Sequence, residues 1–349
     1  MLSSYLSYTA AITKSKSLYG KLLNKDDYKI MLGMRTVQEV AAYLKKNTFY
    51  ANMLVPINEN DVHREQLEEL FKTSLYDDFT KLLHYLGGKK AKFTKAAFLR
   101  YEIEDLKVLI STIYTKRESE LIESSLVFLK KYSKLDYDKL LHSMSVEELI
   151  NNLKGTDYYR VLSYFLGNFK ERSIFDIEIA LDTYFFLTTI KLKDKLLSGS
   201  DRKIVTKSFG MEIDILNIML IYRCKKLFDL PKEITLNYVI PYWYKLSKKQ
   251  LVNLAACYNV TEFNEILLKT PYAKIFKINE EQMWEINSMN FMYGFYKKML
   301  RESQPSIGMI FSYLHLKDID IRNIITTIEG VRYSLAAEEI KKYLIGVRM

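Results

Sequence analysis

"MEIDILNIMLIYR", residues 211–223, decides how this chain is read. Alone it is an amphipathic helix. Its pattern stands in two further places, as "YEIEDLKVLI" at 101–110 and "KDIDIRNIIT" at 317–326. Set under one another, Glu102, Glu212 and Asp318 align, then Ile103, Ile213 and Ile319, then Glu104, Asp214 and Asp320. Three residues on come Lys107, Asn217 and Asn323, followed by Val108, Ile218 and Ile324. The spacings are 110 and 106 residues (102 to 212 to 318). A helix that returns at nearly constant distance marks a chain built from copies of one unit.

The copying extends upstream. "LKKNTFY" (44–50), "LKGTDYY" (153–159) and "LLKTPYA" (267–273) share a Thr-x-Tyr: Thr48 and Tyr50, Thr156 and Tyr158, Thr270 and Tyr272. Each follows an apolar-periodic helix, and threonine suits such a boundary because its hydroxyl competes for backbone bonds. Pro271 reinforces the break after Thr270. Between each Thr-x-Tyr and its acidic helix lies a long helical stretch, at 64–86, 175–197 and 280–302. Apolar residues recur there at three- and four-residue steps, as in Leu67, Leu70, Phe71 and Leu75. Similar lead-ins, "KLDYDKLLHSM" (134–144) and "KLSKKQLVNLA" (245–255), open the second and third copies. The fold expected is all-α: three similar helical domains at 1–125, 126–235 and 236–349. Tight connections between them favour a pseudo-threefold body with a hollow along its axis.

Composition agrees. Twelve Gly and five Pro in 349 residues leave little material for hairpin turns. The prolines, Pro56, Pro231, Pro241, Pro271 and Pro305, sit between periodic stretches. No stretch has the ~18–20 uninterrupted apolar residues of a membrane span, and "MLSSYLSYTAAITKSK" lacks the plan of a signal peptide. Two cysteines, Cys224 and Cys257, fit a reducing compartment. The net charge of +10 permits nucleic acid, anionic lipid or an acidic partner and selects none. The densest basic run, "GGKKAKFTK" (87–95), reads as a solvated connection between helices.

Paired carboxylates in the first turn of each acidic helix would face the positive end of its dipole, worth about 0.3–1 kcal/mol each. Asn217 and Asn323 sit on the helix body, where asparagine has poor propensity. They are either buried amides tying helices together or contacts to another element.

Catalytic patterns are missing. No P-loop, G-x-G-x-x-G, H-E-x-x-H or C-x-x-C occurs. The four histidines, His63, His84, His142 and His315, have no ligand-like spacing. Arg223 and Lys225 flank Cys224, a setting that can lower a thiol pKa, but Cys224 reads as a passive cysteine at a helix end. Trp243, Trp284 and "LDTYFF" (181–186) read as core aromatics. Glu212 and Asp214, at i and i+2, face different sides of a helix and make a poor acid–base dyad. Tyrosine is abundant, at 27 residues, and favours interfaces. The expectation is no enzyme, no metal and no cofactor. A basic helical adaptor binding nucleic acid is the alternative, and an enzyme using Arg223 and a tyrosine is the weakest reading.

Four features together resemble a known family: the threefold repetition, the L-x-x-T-x-Y helix ends, "MEIDILNIMLIYRCK", and the C-terminal "YLHLKDIDIRNIITTIEGVRYSLAAEEIKKYL". The chain resembles the C subunit of bacterial and archaeal V-type (A-type) rotary ATPases, related to the eukaryotic d subunit. It departs in carrying Lys14 and Lys16 where arginines are common, "PYWYKL" after Ile240 where a glycine turn is usual, and Asp318 for Glu. The resemblance implies a funnel-shaped, non-catalytic central-stalk subunit. It would lie on the cytoplasmic face of the membrane as a peripheral protein and enter a hetero-oligomeric complex as a monomer. Its cavity would receive the axle subunits (D/F type), and its other face the membrane rotor ring. Torque would pass through it for H⁺ or Na⁺ transport or for ATP synthesis, with no nucleic acid involved. Candidate axle contacts are Glu212, Asp214, Arg223, Asp318 and Asp320. Thr48, Tyr50, Glu104, Thr156, Tyr158, Asn217, Thr270, Tyr272 and Asn323 are the structural signature of the repeat.

Overall fold

Helix starts in this chain are written by caps. Thr36, Ser145 and Asn259 each hold an extended backbone, and their side chains accept an N–H three residues on, from Glu39, Glu148 and Glu262. Helix ends are as explicit. Asp229 takes the left-handed conformation (φ 45°) and Leu230 N–H returns to the Cys224 carbonyl, so the helix closes before Pro231.

The computed structural model describes residues 2–58, 62–117, 119–167, 173–302 and 305–347. Among the described residues it is all-helical, with no strand. The order is α1 (Leu2–Tyr19), α2 (Lys25–Met31), α3 (Val37–Asn47), α4 (Arg64–His84), α5 (Gly88–Phe98), α6 (Arg100–Tyr114), α7 (Val127–Lys131), α8 (Tyr137–Leu141) and α9 (Val146–Asn152). Then come α10 (Asp157–Leu162), α11 (Ile174–Leu196), α12 (Gly199–Phe228), α13 (Lys232–Tyr238), α14 (Lys248–Ala256), α15 (Val260–Leu267), α16 (Trp284–Arg301), α17 (Ile307–Arg332) and α18 (Ala337–Lys341). The long stretches expected at 64–86, 175–197 and 280–302 are α4, α11 and α16. Every proline lies outside an α-helix.

By contact the chain forms two units. One comprises Met1–Ala91, Glu120–Ser133 and Met289–Met349; the other comprises Lys92–Ser119 and Lys134–Ser288. In the first unit α17 is the core, packed on α1, α3 and α4. It is apolar on nearly every side, with Ile310, Leu316, Ile324 and Ile328 buried, as a helix enclosed by others must be. In the second unit α12 has that place, packed on α11, α13, α14 and α15, with Ile213, Ile218 and Ile221 fully buried. Trp284 sits among Tyr222 and Phe276, but Trp243 is half exposed rather than core.

Two expectations about the helices change. The acidic residues do not begin α12 and α17, which start at Gly199 and Ile307. Only α6, from Arg100, has one of them, Glu102, in its first turn. Dipole stabilisation therefore does not explain the second and third copies. The basic run 87–95 is no loop either: it forms most of α5, with Lys89, Lys92 and Lys95 exposed and Phe93, Ala97 and Phe98 buried.

Candidate functional site

The Thr-x-Tyr turns explain themselves. Each threonine hydroxyl donates to the carbonyl of a residue ending the helix before it: Thr48 to Leu44 (2.6 Å), Thr156 to Leu153 (2.7 Å) and Thr270 to Leu267 (2.7 Å). The same oxygen then accepts an N–H of the next segment, from Tyr50, Tyr159 and Tyr272. The clamped turn exposes the middle residue, Phe49, Asp157 or Pro271, and buries the tyrosine.

Each buried hydroxyl donates to a carboxylate. Tyr158 reaches Glu102 (2.6 Å), Tyr272 reaches Asp214 (2.9 Å) and Tyr50 reaches Asp320 (2.7 Å). The tyrosine of the second copy thus bonds the acidic helix of the first, that of the third bonds the second, and that of the first bonds the third. A hydrogen bond to a charged acceptor contributes about 1.5–3 kcal/mol net. Burial, then the adjoining carboxylate, raises the pKa of all three phenols.

These joints also set the register. Asn217 exchanges two hydrogen bonds with the backbone of Ile240 (3.0 and 2.9 Å), and Asn323 does the same with Ile345 (2.8 and 2.8 Å). The buried-amide reading of both is therefore the observed one. Each asparagine stands three residues after its aspartate. In the first copy the residue three after Glu102 is Asp105, also buried. So Glu102, not Glu104, is the counterpart of Asp214 and Asp320, and the first copy is displaced by two residues from the alignment of the three sequences. Glu104 is exposed and faces Arg100, while Lys107 pairs with Asp182 at 2.8 Å.

Of the five candidate contact residues, Asp214 and Asp320 are buried and engaged internally. Asp214 accepts the N–H groups of Tyr244, Lys245 and Leu246 (3.0, 2.7 and 3.0 Å) besides Tyr272. Asp320 accepts Leu23 N–H (3.3 Å) and the hydroxyls of Tyr28 and Tyr50. Burial raises the Asp320 carboxyl pKa, against the two tyrosines and Lys317, which lower it. Lys317, itself buried, donates to Tyr50 at 3.1 Å and lies over its ring; burial pushes its pKa down. Glu212 pairs with Arg100 and is largely covered, Asp318 is half-buried, and Arg223 is exposed.

Sequence reasoning missed a third repeated device. Before α3, α9 and α15 the main-chain N–H of Arg35, Met144 and Tyr258 donates to the same glutamate whose N–H is capped, Glu39, Glu148 or Glu262 (2.7, 2.9 and 2.8 Å). The capped stretches "RTVQE", "MSVEE" and "YNVTE" carry the signal, an N-cap residue, valine and glutamate at fixed offsets. Met144 and Tyr258 are 89% and 91% exposed.

Cys224 and Cys257 are buried thiols, and burial raises Cys224 to about 11, so neither is activated by its basic neighbours. Among the described residues no group of His, Cys, Asp or Glu side chains is placed to hold a metal, and no helix is long and apolar enough to cross a membrane.

The polar residues that recur through the chain are thus mostly spent on joints within an all-helical protein. The chain belongs to the ATP synthase (C/AC39) subunit family, whose pattern it matches over residues 11–343. It is 24% identical over 360 residues to the C subunit of the A-type ATP synthase of Methanosphaera stadtmanae, spanning 99% of this chain and 89% of that protein. Its identity to the corresponding protein of Methanocaldococcus jannaschii is 24% over 355 residues, 97% of this chain and 86% of that one. For that of Methanosarcina acetivorans the values are 24% over 347 residues, with 97% and 93% spanned.

Proposed function

We propose that the chain is the non-catalytic central-stalk subunit of a V/A-type rotary ATPase, the socket that joins the axle to the membrane rotor ring. One observation carries this reading: three tyrosine–carboxylate joints link the copies in closed order, the first copy's Tyr50 bonding the third copy's Asp320. Closed order supports three helical domains, near 1–125, 126–235 and 236–349, set in a pseudo-threefold funnel. Such a socket transmits torque by stiffness and contact area, and a stable junction needs about 1,200 Å² or more. The partners are axle subunits of the D/F type on one face and ring subunits on the other, at the cytoplasmic side of the membrane. The ion, H⁺ or Na⁺, is chosen by ring side chains.

Because Asp214 and Asp320 serve the joints, axle contact falls to Arg223 and Glu212 on α12 and Asp318 on α17. Charge reversal at Arg223 is expected to weaken axle binding tenfold or more, and unchanged binding would remove it from the contact. The whole reading is tested by tagging the chain at low expression, extracting membranes in mild detergent and identifying co-purifying proteins by mass spectrometry. Axle, ring and nucleotide-binding subunits are expected. Recovery alone, or with RNA in a salt-sensitive complex, would overturn it.

A further inference from the structure

Three short helices hold one place in the repeat, and one of them breaks the rule the others keep. Asn24, Asp136 and Ser247 cap α2, α8 and α14, and each cap directly follows a leucine, Leu23, Leu135 or Leu246. Acids suit a first turn, which faces the positive end of the helix dipole, and cations oppose it. The first turn of α2 has Asp26 and Asp27, and that of α8 has Asp138. In α14 the same turn begins with Lys248 and Lys249 and holds no acid. Both lysines are exposed. Leu251, Leu254 and Ala255 make the buried side of that helix, so neither capping nor packing calls for the two charges.

The segment before α14 adds to them. "PYWYKL", 241–246, crosses α12 with its main chain spent underneath, where the fully buried Asp214 accepts three of its N–H groups. Outside it shows Trp243, 43% exposed, Tyr244, 37% exposed, and Lys245. Lys248 lies over the Trp243 ring, 5.9 Å from its centre. Tyr244 packs so tightly on Gly210 that a Cβ there would lie 2.6 Å from the tyrosine's own Cβ. Lys207 and Lys203 stand three and seven residues before Gly210, on the same side of α12, and both are exposed. Two aromatic rings thus sit among lysines 203, 207, 245, 248 and 249, and residues 203–210 and 241–249 contain neither an acid nor an arginine.

We propose that this face of the second unit binds the surface of an anionic bilayer, with Trp243 and Tyr244 at headgroup level and the lysines against lipid phosphates. Tryptophan and tyrosine suit that depth because each joins an apolar ring to a polar tip. Clustered lysines attract anionic headgroups, each changing the partition by about fivefold. The kind of cation favours lipid over other anions. Lysine is a mobile point charge that fits a fluid sheet of phosphates. Fixed carboxylates and nucleic-acid phosphates favour the fork of arginine, and protein interfaces are depleted in lysine.

The probe is mixed phosphatidylcholine–phosphatidylglycerol vesicles, sedimented with the full chain. Binding is read on the chain alone, so co-purification and lipid contact can fail separately. Trp284 is buried, so Trp243 reports contact through its own emission. Saturable binding is expected, with a blue shift and quenching by brominated lipid that are both lost in Trp243→Phe. Pure phosphatidylcholine should bind about tenfold more weakly or worse, and raised salt should release the chain. Lys248→Glu with Lys249→Glu should weaken binding about tenfold or more, with circular dichroism unchanged because acids suit that turn. Lys89→Glu with Lys92→Glu makes the same charge change at exposed positions of α5 and should weaken it less than about twofold. No binding to the mixed vesicles, equal loss in the two double variants, or binding without a change in Trp243 emission overturns the proposal. So does a Trp243 shift obtained with oligouridylate or polyglutamate and not with vesicles, which would give the face to nucleic acid or to an acidic protein.

Discussion

Asp214 and Asp320 hold one place in the repeat and are satisfied in different ways. Around Asp214 the donors are three successive main-chain N–H groups and one tyrosine. Around Asp320 they are one N–H and two tyrosines, with a buried lysine behind Tyr50 where the second unit has Met211. A continuous backbone delivers donors at fixed spacing and without side-chain entropy. Where a single main-chain N–H reaches the carboxylate, tyrosine hydroxyls supply the other donors. The lesson is that a repeat keeps a bonding requirement and lets its supply vary.

The sharpest way to break this comparison is to remove both acceptors. Asp214→Ala strands four donors, three of them fixed in the backbone and two of the four fully buried, and should cost about 3–5 kcal/mol. Asp320→Ala should cost less, about 2–3 kcal/mol, because Tyr28 lines a cavity beside Asp320 and its hydroxyl can turn toward water there. Urea denaturation followed by circular dichroism measures both; an equal or reversed order would mean that backbone delivery confers no advantage. Next in size are Tyr50→Phe, Tyr158→Phe and Tyr272→Phe, each about 1.5–3 kcal/mol by the same melts.

Alkali tests all three joints together. The phenols have folded pKa values raised above the unfolded value. Their contribution is therefore complete below about pH 10 and is lost as pH rises beyond it. Tyrosinate absorbance from these residues should appear only with loss of helical signal, and earlier ionisation in the folded chain would show the joints to be open.

Much of this is legible in the residues. The long helices follow from apolar periodicity, and the Thr-x-Tyr turns from threonine and tyrosine at fixed spacing. The two-residue displacement in the first copy is not, because Glu102 and Glu104 are chemically alike and only burial separates them. Asp105 stands where Asn217 and Asn323 carry amides, so residue identity gives no correction. The starts of α12 and α17 are hidden because acids at mid-helix imitate an N-terminal turn. The lysines of 87–95 conceal α5, whose buried side is only Phe93, Thr94, Ala97 and Phe98. Which partner each face meets is chemistry written on other chains.

The boxes before α3, α9 and α15 use Arg35, Met144 and Tyr258 only through the main-chain N–H. Nothing in the box reads the side chain. What is displayed at each of these three points can therefore be rewritten by substitution while folding proceeds unchanged. One residue alone is barred: proline, which has no N–H to give.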